Sequence, residues 1–358
     1  MTSIWVYGAT GRGGRAIAQR LTADGGVDLV LIGRDETRLN ELARTLPGPS
    51  RTLVASGVSE LVELIVERKP GVVVNTVGPF GDTTLAVAGA CLRAGSHYLD
   101  LANELDPVRA LLELDGPART EGVTLVTGAG FGVLATESLV IELRADRDPA
   151  QWASVAALPG VDGLGSAVLA SSIDVIAVGG RRYRDGRLVR TRFGAEHAEI
   201  PLPHGHTRHA VAVPTGELEA AHRASGAGDV VCYSSEVPSG RLVRAVLPVV
   251  STLLALKPVR AVAHWLVARL RLAPPVTAAE QSWAYARLEW ADGSQRQAWL
   301  HTGEGYQFTA AVAAAVARGL VDGTAPAGAF TPGALFGVAL AREAGAQITQ
   351  DCSGGTPS

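Results

Sequence analysis

Three glycines near the start of the chain have the spacing of a nucleotide-binding turn. Gly8, Gly11 and Gly14 follow the apolar run 3–7 and precede a segment whose apolar residues recur at helical spacing. Glycines in such a strand–turn–helix unit let backbone N–H groups and the helix N-terminus approach a diphosphate closely. The GxxGxxG spacing therefore indicates dinucleotide binding. The alternative is a glycine turn that serves only the fold.

Arginines surround the place where the adenosine ribose of a dinucleotide would bind. NAD-preferring sites usually carry a carboxylate at the end of the second strand, where it binds the ribose 2′-hydroxyl. Here Arg34 takes that position, with Arg12 in the glycine turn and Arg38 one helical turn further on. Because guanidinium groups pair bidentately with phosphate, we expect NADP(H) rather than NAD(H). Asp35 either contacts the ribose or caps the helix that follows.

Polar residues that could handle a proton cluster around the fifth strand. Tyr98 and Asp100 are two positions apart and share one strand face, and Glu104 follows in the next loop. Because nicotinamide chemistry needs a proton as well as a hydride, we expect Tyr98 to donate it and Asp100 or Glu104 to be polar groups of the site. His97 and Asp106 are further candidates. The alternatives are a buried Tyr98 and an Asp100 that only caps a turn.

The positions of the lysines exclude the carbonyl chemistry of the short-chain dehydrogenases. Short-chain dehydrogenases pair a tyrosine with a lysine four residues further on. None of the six tyrosines has a lysine at that distance.

The elements that position these residues alternate between strands and helices up to about residue 126, which predicts a doubly wound parallel sheet of the Rossmann type. Further strands are predicted at 28–32, 52–55, 71–75, 97–100 and 123–126, and helices at 59–68, from 82 to 94 and at 107–119. Ligands bind where such strands end, so the loops after these strands form one rim. The remaining cofactor candidates in these loops are Ala9, Thr10, Gly13, Ser56, Asn75, Thr76, Val77, Gly78, Pro79 and Phe80.

The second half of the chain has a different pattern. Asp185-Gly186 and Asp292-Gly293 each lie between two alternating runs, as in β-hairpins, and predict an α+β domain with a mixed or antiparallel sheet. We expect an NADP-binding domain at 1–148 and a substrate and dimerisation domain at 149–325. A C-terminal helix within 326–350 is expected to return to the first domain, so that the cofactor lies in a cleft.

Composition excludes several classes of protein. The 358 residues are 47% hydrophobic and 19% charged, with a net charge of −3, which suits a folded two-domain protein and not a nucleic-acid binder. The chain enters a strand pattern at once, so we expect a cytoplasmic protein without a signal peptide. The cysteines are widely spaced, and His204, His206 and His209 are interpreted as an exposed loop. We therefore predict neither disulfides nor a metal site.

Several segments together resemble the saccharopine dehydrogenase-like oxidoreductases, and within them the trans-acting enoyl reductase group. They are the glycine turn, Gly33-Arg34, 75–80 and 95–104, with 305–310, 331–333 and 336–337 near the end. The resemblance implies a Rossmann domain, an inserted mixed-sheet domain and a nicotinamide cofactor. It also implies that Gly78-Pro79-Phe80 lies beside the nicotinamide and that 97–100 lines the same cleft. Segment 130–135 departs from the family's Gly-Phe-Asp-x-x-Pro pattern, and saccharopine itself is not the expected substrate.

These features predict an NADPH-dependent reductase that transfers hydride to a C=C (enoyl) or C=N (imine) bond of a small, largely apolar metabolite. The two acceptor types are left open, since no motif distinguishes an oxyanion stabiliser from a group that favours iminium. The alternative is a non-catalytic NADP(H)-binding sensor or scaffold protein.

An apolar segment at 246–256 is too short to span a membrane and contains Pro248. The next segment, from residue 259, has an apolar helical face. The pair either binds a lipid surface peripherally or covers the substrate cleft or a dimer interface. We favour the second interpretation and expect a homodimer.

Overall fold

The structure, a computed structural model, describes residues 3–23, 25–160, 166–237, 240–269, 281–323 and 325–351. The chain divides into two compact units. Unit 1 comprises Met1–Leu134 and Tyr306–Ala344, and unit 2 comprises Ala135–Gly305 and Gly345–Ser358.

Strands and helices alternate through most of the chain. In chain order the described strands are β1 (Ser3–Tyr7), β2 (Asp28–Gly33), β3 (Ser50–Val54), β4 (Val72–Asn75), β5 (His97–Asp100), β6 (Thr124–Val126), β7 (Trp152–Leu158), β8 (Gly180–Arg184), β9 (Arg187–Thr191), β10 (His197–Pro201), β11 (Thr207–Ala212), β12 (Asp229–Ser234), β13 (Ser282–Glu289), β14 (Gln295–Thr302), β15 (Gly328–Phe330) and β16 (Gln347–Asp351). The described helices are α1 (Arg12–Ala23), α2 (Glu36–Thr45), α3 (Val58–Arg68), α4 (Phe80–Ala94), α5 (Leu105–Leu112), α6 (Asp115–Glu121), α7 (Phe131–Arg144), α8 (Ser166–Val178), α9 (Gly216–Ser225), α10 (Arg241–Leu254), α11 (Lys257–Arg269), α12 (Gly305–Val321) and α13 (Pro332–Glu343).

Unit 1 is built on a seven-stranded sheet with the order β15-β6-β5-β4-β1-β2-β3. Every described pair in it is parallel, which confirms the predicted Rossmann fold. Strand β4 is buried along its whole length, as expected of a strand covered on both faces. The C-terminal ends of β1, β4 and β5 therefore lie at one edge, because Tyr7 pairs with Asn75 and Asn75 with Asp100.

Two elements of unit 1 differ from the prediction. The helix expected at 107–119 is two helices, α5 and α6, because the ring of Pro117 would clash with the carbonyl of Glu113 in a continuous helix. Strand β15 was not predicted. It has three residues and pairs with β6 at the edge of the sheet.

The unit boundaries differ from the expected 148 and 325. The division falls inside α7 and places nearly all of α12 in unit 1. There Thr309 Oγ1 of α12 accepts a hydrogen bond from Phe131 N, and Arg318 donates to the carbonyls of Leu21 and Gly25. Helix α13 also belongs to unit 1, whereas β16 pairs with β14 in unit 2.

Unit 2 contains a mixed sheet with the order β10-β11-β12-β7-β13-β14-β16, with β8 joined to β12 and β9 to β8. The β12–β7 pair is parallel and the other described pairs are antiparallel, which confirms the predicted mixed sheet. Both predicted hairpins are present. In the first, Asp185 and Gly186 have φ values of 49° and 72°, as a tight two-residue turn requires.

Two other sequence features of unit 2 can be compared with the structure. The histidine segment is not a plain loop, because β10 and β11 form a hairpin in which His209 pairs with Glu199. His206 and His209 are exposed. Among the described residues, no single helix has the length and hydropathy to cross a membrane. The segments Val246–Leu254 and Lys257–Val267 reach those limits only together, as a pair bent by 102°.

Candidate functional site

The glycine turn joins β1 to α1 and is held by the neighbouring strand. The N–H groups of Gly8 and Ala9 both donate to the carbonyl of Ile32 at the end of β2, at 2.9 and 3.1 Å. Gly8 has a φ of +83°, which an L side chain rarely adopts. Helix α1 begins directly after Gly11, so its first amides lie in the turn.

The turn is packed too closely to accept side chains at two of its glycines. A Cβ on Gly14 would lie 2.8 Å from the Cα of Ala9 and would also overlap the backbone of Gly8. A Cβ on Gly8 would lie 2.6 Å from both Thr76 Oγ1 and Val77 Cγ2. The turn therefore presents bare backbone beside a helix N-terminus, an arrangement that fits a diphosphate group.

The predicted arginines flank this turn. Arg34 is exposed beyond β2, close enough to Tyr7 to affect its phenol. Burial raises the pKa of Tyr7, and the positive charge of Arg34 opposes that rise. The guanidinium of Arg12 stacks on the ring of Tyr306, with Cζ 3.7 Å from the ring centroid. Tyr306 was missed as a site residue because it lies far from Arg12 in sequence.

Two predicted cofactor residues have partners within the protein. Asp35 caps α2, since its Oδ1 accepts from Arg38 N at 3.0 Å, as one of the two interpretations expected. Ser56 donates from N at 2.8 Å and from Oγ at 2.6 Å to Glu60 Oε2. These hydrogen bonds lower the pKa of Glu60. Contacts of Asp35 and Ser56 with a cofactor remain a prediction.

A buried carboxylate lies where β5 ends. Asp100 is fully buried, and its two oxygens accept five hydrogen bonds from donors in three stretches of the chain. The donors to Oδ2 are Tyr98 Oη at 2.9 Å and Thr84 Oγ1 at 3.0 Å, and those to Oδ1 are Thr127 Oγ1 at 2.8 Å and the N–H groups of Ala102 and Gly128, both at 3.1 Å. Burial raises the pKa of Asp100, and these donors limit the rise.

Asn75 connects this carboxylate cluster to the loop after β4. Its Nδ2 donates to Tyr98 Oη at 3.2 Å and to Thr83 Oγ1 at 2.9 Å, and its Oδ1 accepts from Val77 N at 3.1 Å. Thr83 Oγ1 in turn donates to Val77 O at 2.9 Å. These hydrogen bonds from buried side chains hold the start of the loop 76–79. Gly78 and Pro79 are joined by a cis peptide, and both residues are exposed.

The three predicted catalytic residues occupy two different environments. Tyr98 and Asp100 are fully buried and bonded to each other. Burial, with Asp100 nearby, raises the pKa of Tyr98 well above its usual value. Glu104 is half-buried just after β5 and accepts from the N–H of Asn103 at 3.1 Å and from that of Phe80. Its pKa is raised, chiefly by burial.

His97 and Asp106 lie away from this group. His97 is at the N-terminal end of β5, the edge opposite the glycine turn, and its Nδ1 accepts from Thr124 N at 3.0 Å. Asp106 is exposed in the first turn of α5. The structure therefore brings together Tyr98, Asp100, Asn75 and the loop 76–80, with Glu104 beside Phe80.

Comparison with known proteins identifies the first unit. Residues 4–126 match the model of the saccharopine dehydrogenase NADP binding domain. This match covers about a third of the chain. The matched residues include the glycine turn, Arg34, Asn75 and Asp100, which confirms the predicted NADP-binding domain and cofactor class for this part of the chain.

Similar proteins differ in how much of the chain they cover. The trans-acting enoyl reductase of Mycobacterium tuberculosis (strain H37Rv) is 31% identical over 146 residues, which are 39% of this chain and 35% of that protein. This chain thus aligns with about a third of the length of that relative. Saccharopine dehydrogenase (L-Glu forming) from Saccharomyces cerevisiae has a TM-score of 0.63 at 13% identity, over 98% of this chain and 100% of that one. The amine dehydrogenase from Mycobacterium smegmatis has a TM-score of 0.51 at 13% identity, over 93% and 96%. At these identities the two structures show a shared fold.

Proposed function

We propose that this protein is an NADPH-dependent reductase that adds hydride to a C=C bond conjugated to a carbonyl, with C=N bonds as the second acceptor type. The observation that carries the proposal is the bare glycine turn flanked by Arg12 and Arg34 within an NADP-binding domain. The enoyl acceptor is favoured because the relative that is 31% identical over the nucleotide-binding region is a trans-acting enoyl reductase.

Each part of the site has a distinct task in this proposal. The turn amides bind the diphosphate, and Arg34 and Arg12 bind the 2′-phosphate of the adenosine ribose. NADPH supplies the hydride. Asn75 holds the loop 76–80 by accepting from Val77 N, so that Gly78 and Pro79 form a fixed wall beside the nicotinamide.

Glu104 is the proposed proton donor. Tyr98 and Asp100 are sequestered in the interior and bonded to each other, so they act as positioning residues. The Glu104 carboxyl is half-buried beside Phe80 N, and its raised pKa favours the protonated form that a donor needs. Its proton goes to the carbon α to the carbonyl of an enoyl acceptor or to the nitrogen of an imine.

The arginine at the end of β2 gives a direct test of cofactor choice. Arg34→Ala should weaken NADPH binding about 10- to 100-fold, since one charge-assisted contact to the 2′-phosphate is lost, and leave NADH binding unchanged. Isothermal titration calorimetry measures both affinities. Arg44→Ala, at an exposed arginine in the last turn of α2, is the matched control. Equal NADPH affinity in both variants would refute the assignment of Arg34.

The proton donor predicts a defined dependence of rate on pH. Wild-type turnover should fall as pH rises through the raised pKa of Glu104, because only the protonated carboxyl donates. Glu104→Gln should lower kcat by about 100-fold or more and remove that alkaline limb, with NADPH affinity kept. Steady-state assays from pH 5 to 9 measure this. Asp106→Asn, at an exposed carboxylate two residues further on, should behave as wild type, and an unchanged limb in Glu104→Gln would exclude Glu104.

Two further outcomes decide between the acceptor types and the non-catalytic alternative. NADPH oxidation should accelerate with α,β-unsaturated thioesters, and faster oxidation with cyclic imines would reverse the order of preference. Tight NADPH binding without oxidation by either panel would favour a sensor or scaffold protein. Light scattering, which measures the mass of the protein in solution, tests the homodimer that the sequence predicts.

A further inference from the structure

Unit 2 exposes an apolar face on two consecutive helices. On α10 and α11, large apolar side chains are open to solvent, with Val249 60% and Trp265 51% exposed. The exposed residues that define this apolar face are Val249, Leu253, Leu256, Val262, Trp265 and Leu266. An exposed apolar patch on consecutive helices marks an interaction surface.

The opposite sides of both helices are attached to α8. Ser251 Oγ of α10 donates to the carbonyl of Ile176 at 2.7 Å, and His264 Nε2 of α11 lies 3.0 Å from Asp174 Oδ1. The two helices are 14 and 13 residues long, roughly 20 Å each, and bend by 102° between them. Each is too short to cross the hydrocarbon core of a bilayer, and both lie along α8.

The charge on this segment indicates what covers the apolar face. From Arg241 to Arg269 the sequence contains five basic residues and no Asp or Glu, in a chain whose net charge is −3. Lys257, one of the two lysines of the chain, and Arg269 are exposed, and the Arg269 guanidinium stacks on Trp265 at 3.6 Å. Apolar side chains, tryptophan and basic residues without acidic ones are the composition of helices that lie in an anionic membrane surface.

A second copy of the chain fits this face less well. An isologous dimer would bring two copies of this basic segment towards each other, with no acidic residue in the segment to compensate. An anionic lipid surface instead complements the basic residues of this segment, among them the exposed Lys257 and Arg269.

We propose that the apolar face of α10 and α11 binds peripherally to an anionic lipid bilayer. Leu253, Leu256, Val262, Trp265 and Leu266 enter the boundary between headgroups and acyl chains, and Lys257 and Arg260 contact the headgroups. Both helices lie in the plane of the surface.

Vesicle flotation of the full chain tests the proposal. Binding is expected on vesicles of phosphatidylcholine with 30% phosphatidylglycerol, and at least about tenfold less on phosphatidylcholine alone. Val262→Ser/Leu266→Gln should abolish binding, and Lys257→Glu/Arg260→Glu should weaken it roughly 25-fold or more, from about fivefold per basic residue. Leu85→Gln, at a leucine that is 49% exposed in unit 1, and Arg190→Glu, at an exposed arginine of β9, are the controls.

A second measurement detects insertion of the apolar face in the wild-type chain, so it does not depend on whether the variants fold. Trp265 fluorescence should shift to shorter wavelength on anionic vesicles and be quenched by brominated acyl chains, and Trp265→Phe should lose this signal while still floating. Absence of wild-type binding to anionic vesicles overturns the proposal. It is also overturned if light scattering finds a dimer that Val262→Ser/Leu266→Gln converts to monomer, because the face is then a subunit interface.

Discussion

Asp100→Ala is expected to lower the free energy of unfolding by about 3–5 kcal/mol, because it leaves five buried donors without their shared acceptor. Two of those donors are backbone N–H groups, at Ala102 and Gly128, which cannot rotate towards another partner. The loss therefore loosens the ends of β5 and β6 together. Urea denaturation followed by circular dichroism measures it.

Two other variants calibrate that result. Tyr98→Phe removes one of the five donors and should cost only about 1 kcal/mol, with turnover within a few-fold of wild type, as a positioning residue requires. Glu113→Ala removes an exposed carboxylate and should change stability by less than about 0.5 kcal/mol. A loss of turnover of 100-fold or more in Tyr98→Phe would restore Tyr98 as the proton donor.

Gly14→Ala is expected to weaken NADPH binding about 10- to 100-fold, because its methyl group overlaps the backbone of Gly8 and Ala9 and displaces α1 from the turn. Displacing the helix moves the amides that bind the diphosphate. We also expect a loss of about 1–3 kcal/mol in stability from overpacking. Calorimetry gives the first quantity and urea denaturation the second.

The adjacent glycine provides the matched control. A Cβ on Gly13 would meet Leu101 Cδ1 at 3.5 Å, an ordinary contact distance, so Gly13→Ala should fold and bind NADPH nearly as wild type does. Equal losses in the two variants would mean that the close approach at Gly14 has no special importance for binding.

The nucleotide-binding half of the fold was predictable because its signals are local. The glycine turn, Arg34 and the buried strand β4 each show within a few residues, and alternation of strands and helices then requires a parallel sheet. The Asp185-Gly186 hairpin follows from turn chemistry in the same way. Residues at the ends of neighbouring parallel strands, such as Asn75 and Asp100, meet as a consequence.

What the sequence could not predict depends on contacts between distant segments. The spacing of Tyr98 and Asp100 predicts that they share a strand face. Their enclosure in the interior involves Thr84 of α4 and Thr127 after β6, which both donate to Asp100 and lie far from it in sequence. Tyr306 reaches Arg12 only because a late segment belongs to unit 1. Strand β15 is three residues long, too short for a periodic signal, and pairing with β6 defines it.

The dinucleotide-binding unit is assembled from two stretches separated by Ala135–Gly305, which form most of unit 2. On the ribosome, the edge of β6 stays unpaired until residues 328–330 emerge, and Arg12 lacks its aromatic partner until Tyr306 emerges. This unit can therefore complete its fold only after residues 328–330 have been made, later than Ala135–Gly305 of unit 2. A fragment that ends at residue 134 would lack β15 and the two helices of the second stretch, and so would not form the complete dinucleotide-binding unit.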